Sequence, residues 1–539
     1  MRASPIMDAR GQPLQPLKAK AAIESGGRTA YSAASWTDPS LAGWQAPFVG
    51  ADGANAFERN TISARVHDLV RNDGWASSGV QKLVDSAIGG GWRLSSKPDW
   101  YFLGQTREWA SEFRSRVQSL WAVHANDPRH YIDFERRLDF AGLIALKFRH
   151  RMIDAECLSV LRWRERGGMF ATCEQIIDPD RLSNENDMPD DEYLRRGIQF
   201  DVDGVATHYH IRSAHPGDWL SGLARMRWSR VPRETAWGRP VVIHDFEPSR
   251  AGESRPVSML APVLAKFRML NRYDMAELQA AILNAIFAAF LESPFSGEDI
   301  VNSMQGAGGL EAISAFQGLR EDVHDRMKIR VDGVRLNMLA PGEKISMPQA
   351  SRPAVAFAAF EAACLRNIAG AMGLSYEQLA MDWSKTNYSS ARAALVEVWR
   401  FIAARRQRFA SGAVMPLYMA WMEEAFDRGY LEEPPGAPSF HEAPYAYLAC
   451  RWIGPPRGWV DPVKEAQGAQ LRMESMVSTL EDECNEQGLD YEEVMEQRAQ
   501  ELADMREYGL PIPRWGEGIP LASQEGGVST ETQGATNEQ

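Results

Sequence analysis

Residues 255–294 read RPVSMLAPVLAKFRMLNRYDMAELQAAILNAIFAAFLESP, and the period of that stretch decides the fold. Pro256 suits a first helical turn, because its fixed φ is already helical, and Pro294 suits a stop. Between them Leu278, Ile282, Ala285, Ile286, Ala289 and Phe290 recur at three- and four-residue steps, which places them on one helix face. Ala276, Ala280, Ala281 and Ala288 widen that face with side chains small enough for a neighbouring backbone to come close. The uncharged run 278–291, bracketed by Glu277 and Glu292, falls short of the roughly 20 apolar residues that a membrane span needs. The stretch predicts one buried helix on the order of 50 Å long. Such a helix is either the centre of a large domain or a strut packed against copies of itself or several partner elements.

The chain around it has 539 residues, enough for two to four domains. With 44% hydrophobic and 24% charged residues it is globular in composition. A net charge of −13 argues against a sequence-reading nucleic-acid binder, whose phosphate contacts need clustered Lys and Arg. Cys157, Cys173, Cys364, Cys450 and Cys484 are odd in number and lack CxxC spacing, so reduced thiols are expected, with no disulfide and no zinc site. There is no signal-peptide core and no segment of transmembrane length, which predicts assembly in cytoplasm and no membrane partner.

Along the chain, residues 1–50 are rich in Ala, Gly, Ser and Pro without a period and predict a flexible arm. Helical pattern follows: Val66, Leu69 and Val70, then Val80, Leu83, Val84, Ala87 and Ile88, with the second helix ended by Gly89, Gly90 and Gly91. That glycine run is a C-cap and turn, since phosphates are held at helix starts and no GxxxxGK[ST] follows. Residues 109–123 and 133–147 predict two further amphipathic helices. From about 156 to 246 short β segments take over, with a hairpin joined at Asp203-Gly204. A second hairpin is expected around Asp332-Gly333, extended by Pro341-Gly342 into EKISM. An Ala-rich helix over 353–372 precedes GLSYEQLAMDWSKTNYSS, which breaks the period before Leu395, Val398, Trp399 and Ile402 resume it. Arg400, Arg405, Arg406 and Arg408 on that last helix read as a solvated or salt-bridged face rather than phosphate ligands. APYAYLACRWIGPP is a buried strand or short helix before a hard turn, and Asp461-Pro462 opens an acidic, amphipathic helical section. The tail beyond Pro513 has the composition of disorder.

The residue sets that catalysis requires are missing: no Walker A loop, no G-x-S-x-G elbow, no H-E-x-x-H and no Cys/His pair with an evident third member. His208 and His210 share a strand face near His215 and Asp218, yet a closed zinc site needs about four ligands and the remainder cannot be named. Asp187, Asp190, Asp191 and Glu192 could form a metal-nuclease site if they converged, but they sit in NENDMPDDEY, a loop-like stretch. No catalysis, metal or cofactor is expected; a metal-dependent DNA-processing nuclease stands as the alternative.

Four blocks bear on family: RVHDLVRNDGWASSGVQKLVDSAIGGGWRL near the start, HDFEPSRAGESRPVSMLAPVL leading into the long helix, GLSYEQLAMDWSKTNYSSARAALVEVWR with SGAVMPLYMAWMEEAF, and WVDPVKEAQGAQLRMESMVSTLEDECNEQGLDYEEVMEQRAQE. In this order, over roughly 59–509, the chain resembles the lambda-family portal proteins of tailed bacteriophages. The resemblance implies an α+β, mostly helical portal fold with wing, stem, clip and crown regions. Carried onto this chain, 1–50 is a flexible N-terminal arm, 51–155 the helical part of the wing and 156–256 its β-rich part. Stem helices span 257–293 and 310–328 with a clip at 294–309 between them. A wing hairpin covers 329–352, a wing helix 353–372, a tunnel loop 373–389, a long helix and wing 390–450, a crown 451–510 and a disordered tail 511–539. The implied function is a ring at one capsid vertex, generally a dodecamer, that serves as channel for genome packaging and ejection. Implied partners are the large terminase, major capsid and scaffold proteins, head-tail connector and tail proteins, and double-stranded DNA passing non-specifically. The implied location is the virion. Leu278, Ala281, Ile282, Ala285, Ile286 and Ala289 become subunit-packing residues of the stem. Trp383, Lys385, Asn387 and Tyr388 become the tunnel-loop residues that touch DNA, unless Trp383 and Tyr388 only staple the loop to the wing. An acidic channel suits sliding, since it does not grip phosphates.

Overall fold

In the computed structural model the described residues are 32–34, 38–41, 43–287, 328–331, 334–337, 357–384, 386–458 and 461–511. Three helices open the body, α1 (Ala51–Asn55), α2 (Arg59–Asn72) and α3 (Gly74–Ala87). Asp73 ends α2 and caps α3, its carboxylate accepting from the Ala76 amide at 2.9 Å. The expected apolar faces are the ones buried, with Val66, Val70, Val80, Leu83 and Val84 in the core, and α3 stops just ahead of the glycine run. Next comes β1 (Arg93–Ser96), which pairs antiparallel with β11 (Cys450–Ile453) and ties the two ends of the body together.

After α4 (Arg107–Ala125) the helix expected over 133–147 starts later, as α5 (Phe140–Ile153). Asp133 is the reason: it is buried, and its carboxylate accepts the amides of Glu135, Arg137 and Leu138, holding a non-helical strap until Asp139 caps α5. The β-rich part forms two sheets. One has the order β3-β2-β8, from β2 (Glu156–Trp163), β3 (Thr172–Ile177) and β8 (Val242–Phe246). The other runs β4-β5-β6-β7, from β4 (Leu194–Arg195), β5 (Ile198–Phe200), β6 (Ala206–Arg212) and β7 (Trp228–Pro232). The β5–β6 turn is the expected one: Asp201 accepts the amides of Asp203 and Val205, and Gly204 takes φ +82.

The long helix is shorter at its start than its sequence suggests. Residues 255–260 are not helical, 261–263 form a 3₁₀ turn, and α6 runs Leu264–Phe287. Arg255 is pulled into a buried ion cluster, so the chain cannot coil there. Phe267 and Leu270 anchor α6 in the core, beside α7 (Phe357–Met372), and Tyr273 stacks on Phe357 at 5.3 Å. The clip (294–309), residues 310–327 of the second stem helix, the EKISM extension and the tail from 512 lie outside the described residues. Lys328 belongs to a strand, β9 (Lys328–Val331), paired with β10 (Val334–Asn337) as the Asp332-Gly333 turn predicts.

The break in 373–389 is partly helical: α8 (Tyr376–Ala380) is held by a capping box between Ser375 and Gln378, and α9 (Tyr388–Phe409) begins earlier than the apolar period implies. A π-turn (Ala410–Val414) joins α9 to α10 (Met415–Asp427), with Pro416 in its first turn. Proline there removes a donor that a helix start leaves unpaired anyway. Helix α10 is the centre of the core, where Tyr418 and Trp421 meet Trp121 at 5.6 and 5.1 Å. Past α11 (Pro444–Leu448) and β11, Asp461 caps α12 (Pro462–Glu474); α13 (Leu480–Glu486) and α14 (Tyr491–Glu507) complete the acidic section. The class is α+β, mostly helical. No helix among the described residues is long and apolar enough to cross a membrane.

Candidate functional site

Helix α6 changes character along its length. Its first turns bury Phe267 and Leu270 and half-bury Leu264, and its later turns expose apolar side chains, Leu278 to 56% and Ile282 to 42%. Met269, Met275 and Ala281 are exposed as well. At 24 residues the described helix is about 36 Å long. Ala285 and Ile286 continue its backbone; their side chains, and Ala289 altogether, lie outside the described residues. A buried first half with an uncovered apolar flank is the geometry of a helix with a partner outside its own fold.

The loop candidates separate in their environments. Trp383 is exposed to 41%, on a loop held by the Asp382 carboxylate, which accepts the Ser384 amide and hydroxyl. Asn387 is not simply displayed to a ligand: its side chain caps α9 by accepting from the Ser390 amide at 2.8 Å. That capping role is what sequence reading missed, although an Asn before a helical period is its usual signal. Lys385 and the side chain of Tyr388 lie outside the described residues.

The metal and nuclease candidates do not come together. His208 lies beside Thr207 and Arg230, His210 bonds Glu185 at 3.1 Å, and His215 approaches Asp180 at 3.8 Å, three different surroundings. Asp187 pairs with Arg212. Asp190 accepts from Asn184 and the Arg196 amide, and Asp191 from the amides of Tyr193 and Leu194. Asp187, Asp190 and Asp191 are thus engaged with neighbouring arginines, amides and Asn184, and the nuclease alternative finds no support in their geometry. Among the described residues no group of three His, Cys, Asp or Glu could hold a metal. On α9, Arg408 pairs with Glu247 at 2.8 Å and Arg400 with Glu397 at 3.1 Å. Arg406 donates to the Pro455 carbonyl, and burial pushes its pKa down to about 10. All five cysteines are free thiols.

The strongest polar constellation was not foreseen. Glu156 is fully buried on β2 and receives Arg59 from α2 and Arg255 from the segment before α6, both at 2.5 Å, and contacts His244 of β8 at 2.9 Å. Burial would raise this carboxyl, but Arg255 and Arg59 outweigh it and hold it well below the usual carboxylate range. Two residues earlier in the chain, buried Asp154 takes a histidine on each oxygen, His67 at 2.5 Å and His150 at 2.8 Å. Of these contacts only His150–Asp154, four residues apart, is local; the others join residues about 90 to 100 positions apart in the chain, which no local signal marks. The two clusters lock α2, α5, the sheet and the root of α6 into one unit.

Polar groups are thus spent inside the chain, while an apolar flank remains uncovered on its longest described helix: the fold is that of a structural assembly subunit. The chain belongs to the lambda family of phage portal proteins, whose family description matches residues 37–406. It is 32% identical over 499 residues to the portal protein of Escherichia phage N15 and, over the same length, 32% identical to portal protein B of Escherichia phage lambda, covering 92% of each chain. A probable portal protein of Halomonas phage phiHAP-1 is 26% identical over 490 residues, covering 89% of this chain and 86% of the other. Among solved structures, a chain from the neck of an empty GTA particle is similar at TM-score 0.38 and 12% identity, covering 84% of this chain and 94% of that one. Its function is that of a phage portal protein, a structural component of the virion.

Proposed function

We propose that copies of this chain close into a ring, generally of twelve, at one vertex of the capsid, and that the ring passes double-stranded DNA inward during packaging and outward at ejection. It acts without catalysis or cofactor, docks the large terminase, the capsid and scaffold proteins and later the connector and tail proteins, and is assembled in the host cytoplasm. The uncovered flank of α6, Leu278 with Ala281 and Ile282, is the observation that carries the reading. A tilted helix with small and apolar side chains on its free side meets the next copy heterologously and generates a ring when the rotation closes. Trp383, Lys385, Asn387 and Tyr388 form the loop toward the channel, where weak, sequence-blind contacts averaged around a ring permit sliding. In this reading 51–256 is wing, 257–293 stem, 294–309 clip and 451–510 crown. Negative-stain images and mass photometry of the purified full chain test it: closed rings of uniform size are expected, and open or variable oligomers would refute it.

A further inference from the structure

The strap 129–138 lies against the tip of the β2–β3 hairpin and collects arginines around two rings. Arg162, Arg164 and Arg166 stand over Phe134 at 6.0, 5.1 and 5.7 Å, and Arg129 and Arg136 over Tyr131 at 4.4 and 5.0 Å. The acids nearby are already engaged: Asp127 with Arg129, Glu135 with Arg137, Glu165 with Arg428, and the buried Asp133 carboxylate with three backbone amides of the strap. Arg136, Arg162, Arg164 and Arg166 have no carboxylate partner among the described residues. Three of them donate to neutral groups, Arg166 to the Asp133 and Phe134 carbonyls, Arg136 to the Arg129 carbonyl and Arg162 to Gln175. Guanidinium cannot shed its proton to relieve this crowding, so a bound anion is the relief available. In a chain of net charge −13, such a concentration of positive charge is a local departure.

We propose that this cluster is a binding surface for the phosphodiester backbone of duplex DNA, separate from the tunnel loop and blind to base sequence. The choice of DNA among polyanions rests on the portal reading above. Exposed Arg136, Arg162 and Arg164 present forked donors that match phosphate oxygens. An acidic protein partner fits less well, because docking surfaces centre on uncovered apolar anchors. Here Phe134 and Tyr131 are capped by guanidiniums, and the one half-exposed ring, Trp163, carries Arg239 at 5.6 Å and Arg428 at 5.3 Å.

The test is fluorescence anisotropy of a short labelled duplex with the full-chain assembly across a salt series, for the wild type and the triple variant Arg136→Gln, Arg162→Gln, Arg164→Gln. The expected result is at least about tenfold weaker binding and a log–log salt slope shallower by about 2 to 3, near one per lost phosphate contact. If the triple variant misfolds, Arg164→Gln alone, at an exposed position, should flatten the slope by about 1. Unchanged affinity and slope would overturn the proposal. So would unlabelled polyglutamate competing as well as unlabelled duplex, which would assign the surface to an acidic protein. Ring formation is scored separately by mass photometry: loss of slope in a chain that never forms rings would refute the portal reading and leave this surface standing.

Discussion

Glu156 shows how one side chain can govern the junction of four segments. Replacing it with Gln leaves Arg255 buried without a paired carboxylate and Arg59 with only Asp180, at 3.5 Å, and breaking a buried pair costs about 3 to 5 kcal/mol. A markedly lower midpoint in chemical denaturation is expected, and an unchanged midpoint would show that the cluster contributes little. Because the folded carboxyl titrates below its unfolded value, its contribution is present above the unfolded pKa and is lost as pH falls through the folded one. His67 behaves oppositely. The hydrogen bond to Asp154 raises its pKa above 6.5, so the stabilisation is full below about pH 6.5 and fades as pH rises through the folded value. His67→Gln should therefore lower the melting temperature more below pH 6.5 than in alkaline solution, and the difference should vanish in an Asp154→Asn background. Variants must be compared at each pH, because His124, pushed down to about 3 by burial, pulls the wild-type curve the other way. Gly412 is a packing position: a Cβ there would collide with the Asp245 carboxylate, which Arg151 holds at 2.6 Å. Gly412→Ala should destabilise by about 1 to 3 kcal/mol, read by thermal melting.

Helix α6 carries the prediction on assembly. Ala281 is exposed on the flank with Leu278 and Ile282, so Ala281→Trp should abolish rings while circular dichroism and melting of the folded monomer stay near wild type; intact rings by mass photometry would count against this role. Elements were legible where one periodic face decides them. Helices α2 and α3 and the hairpin at Asp203-Gly204 followed from local pattern, since period and turn chemistry are properties of neighbours in sequence. The starts of α5 and α6 were not, because each is set by a side chain turned toward a distant partner or the backbone ahead of it: Asp133 holding the strap, Arg255 reaching Glu156. Asn387 shows the same limit at a candidate site: the residue was legible, but not its engagement as the cap of α9.

The acidic C-terminal section is joined to the body largely by charge. Arg93 meets Glu493 at 2.8 Å, Lys97 meets Glu481, Arg114 meets Glu492, and Arg451 meets Asp482 at 3.0 Å. Pairs of this kind are screened by salt, whereas the aromatic core around Trp421 is not. Raising the salt toward 1 M should speed limited proteolysis ahead of α12 while leaving the body intact, with fragments identified by mass spectrometry; equal cleavage at low and high salt would argue against electrostatic docking. Family and fold class could be read from residue order, because ordered blocks, helical period and the missing catalytic sets all survive without coordinates. Coordinates alone decided which charges are paired, where α6 leaves the core, and that the arginines of the strap and the hairpin stand on shared rings. Those facts depend on segments tens to hundreds of residues apart meeting in space, and burial of a charge is decided by what meets it.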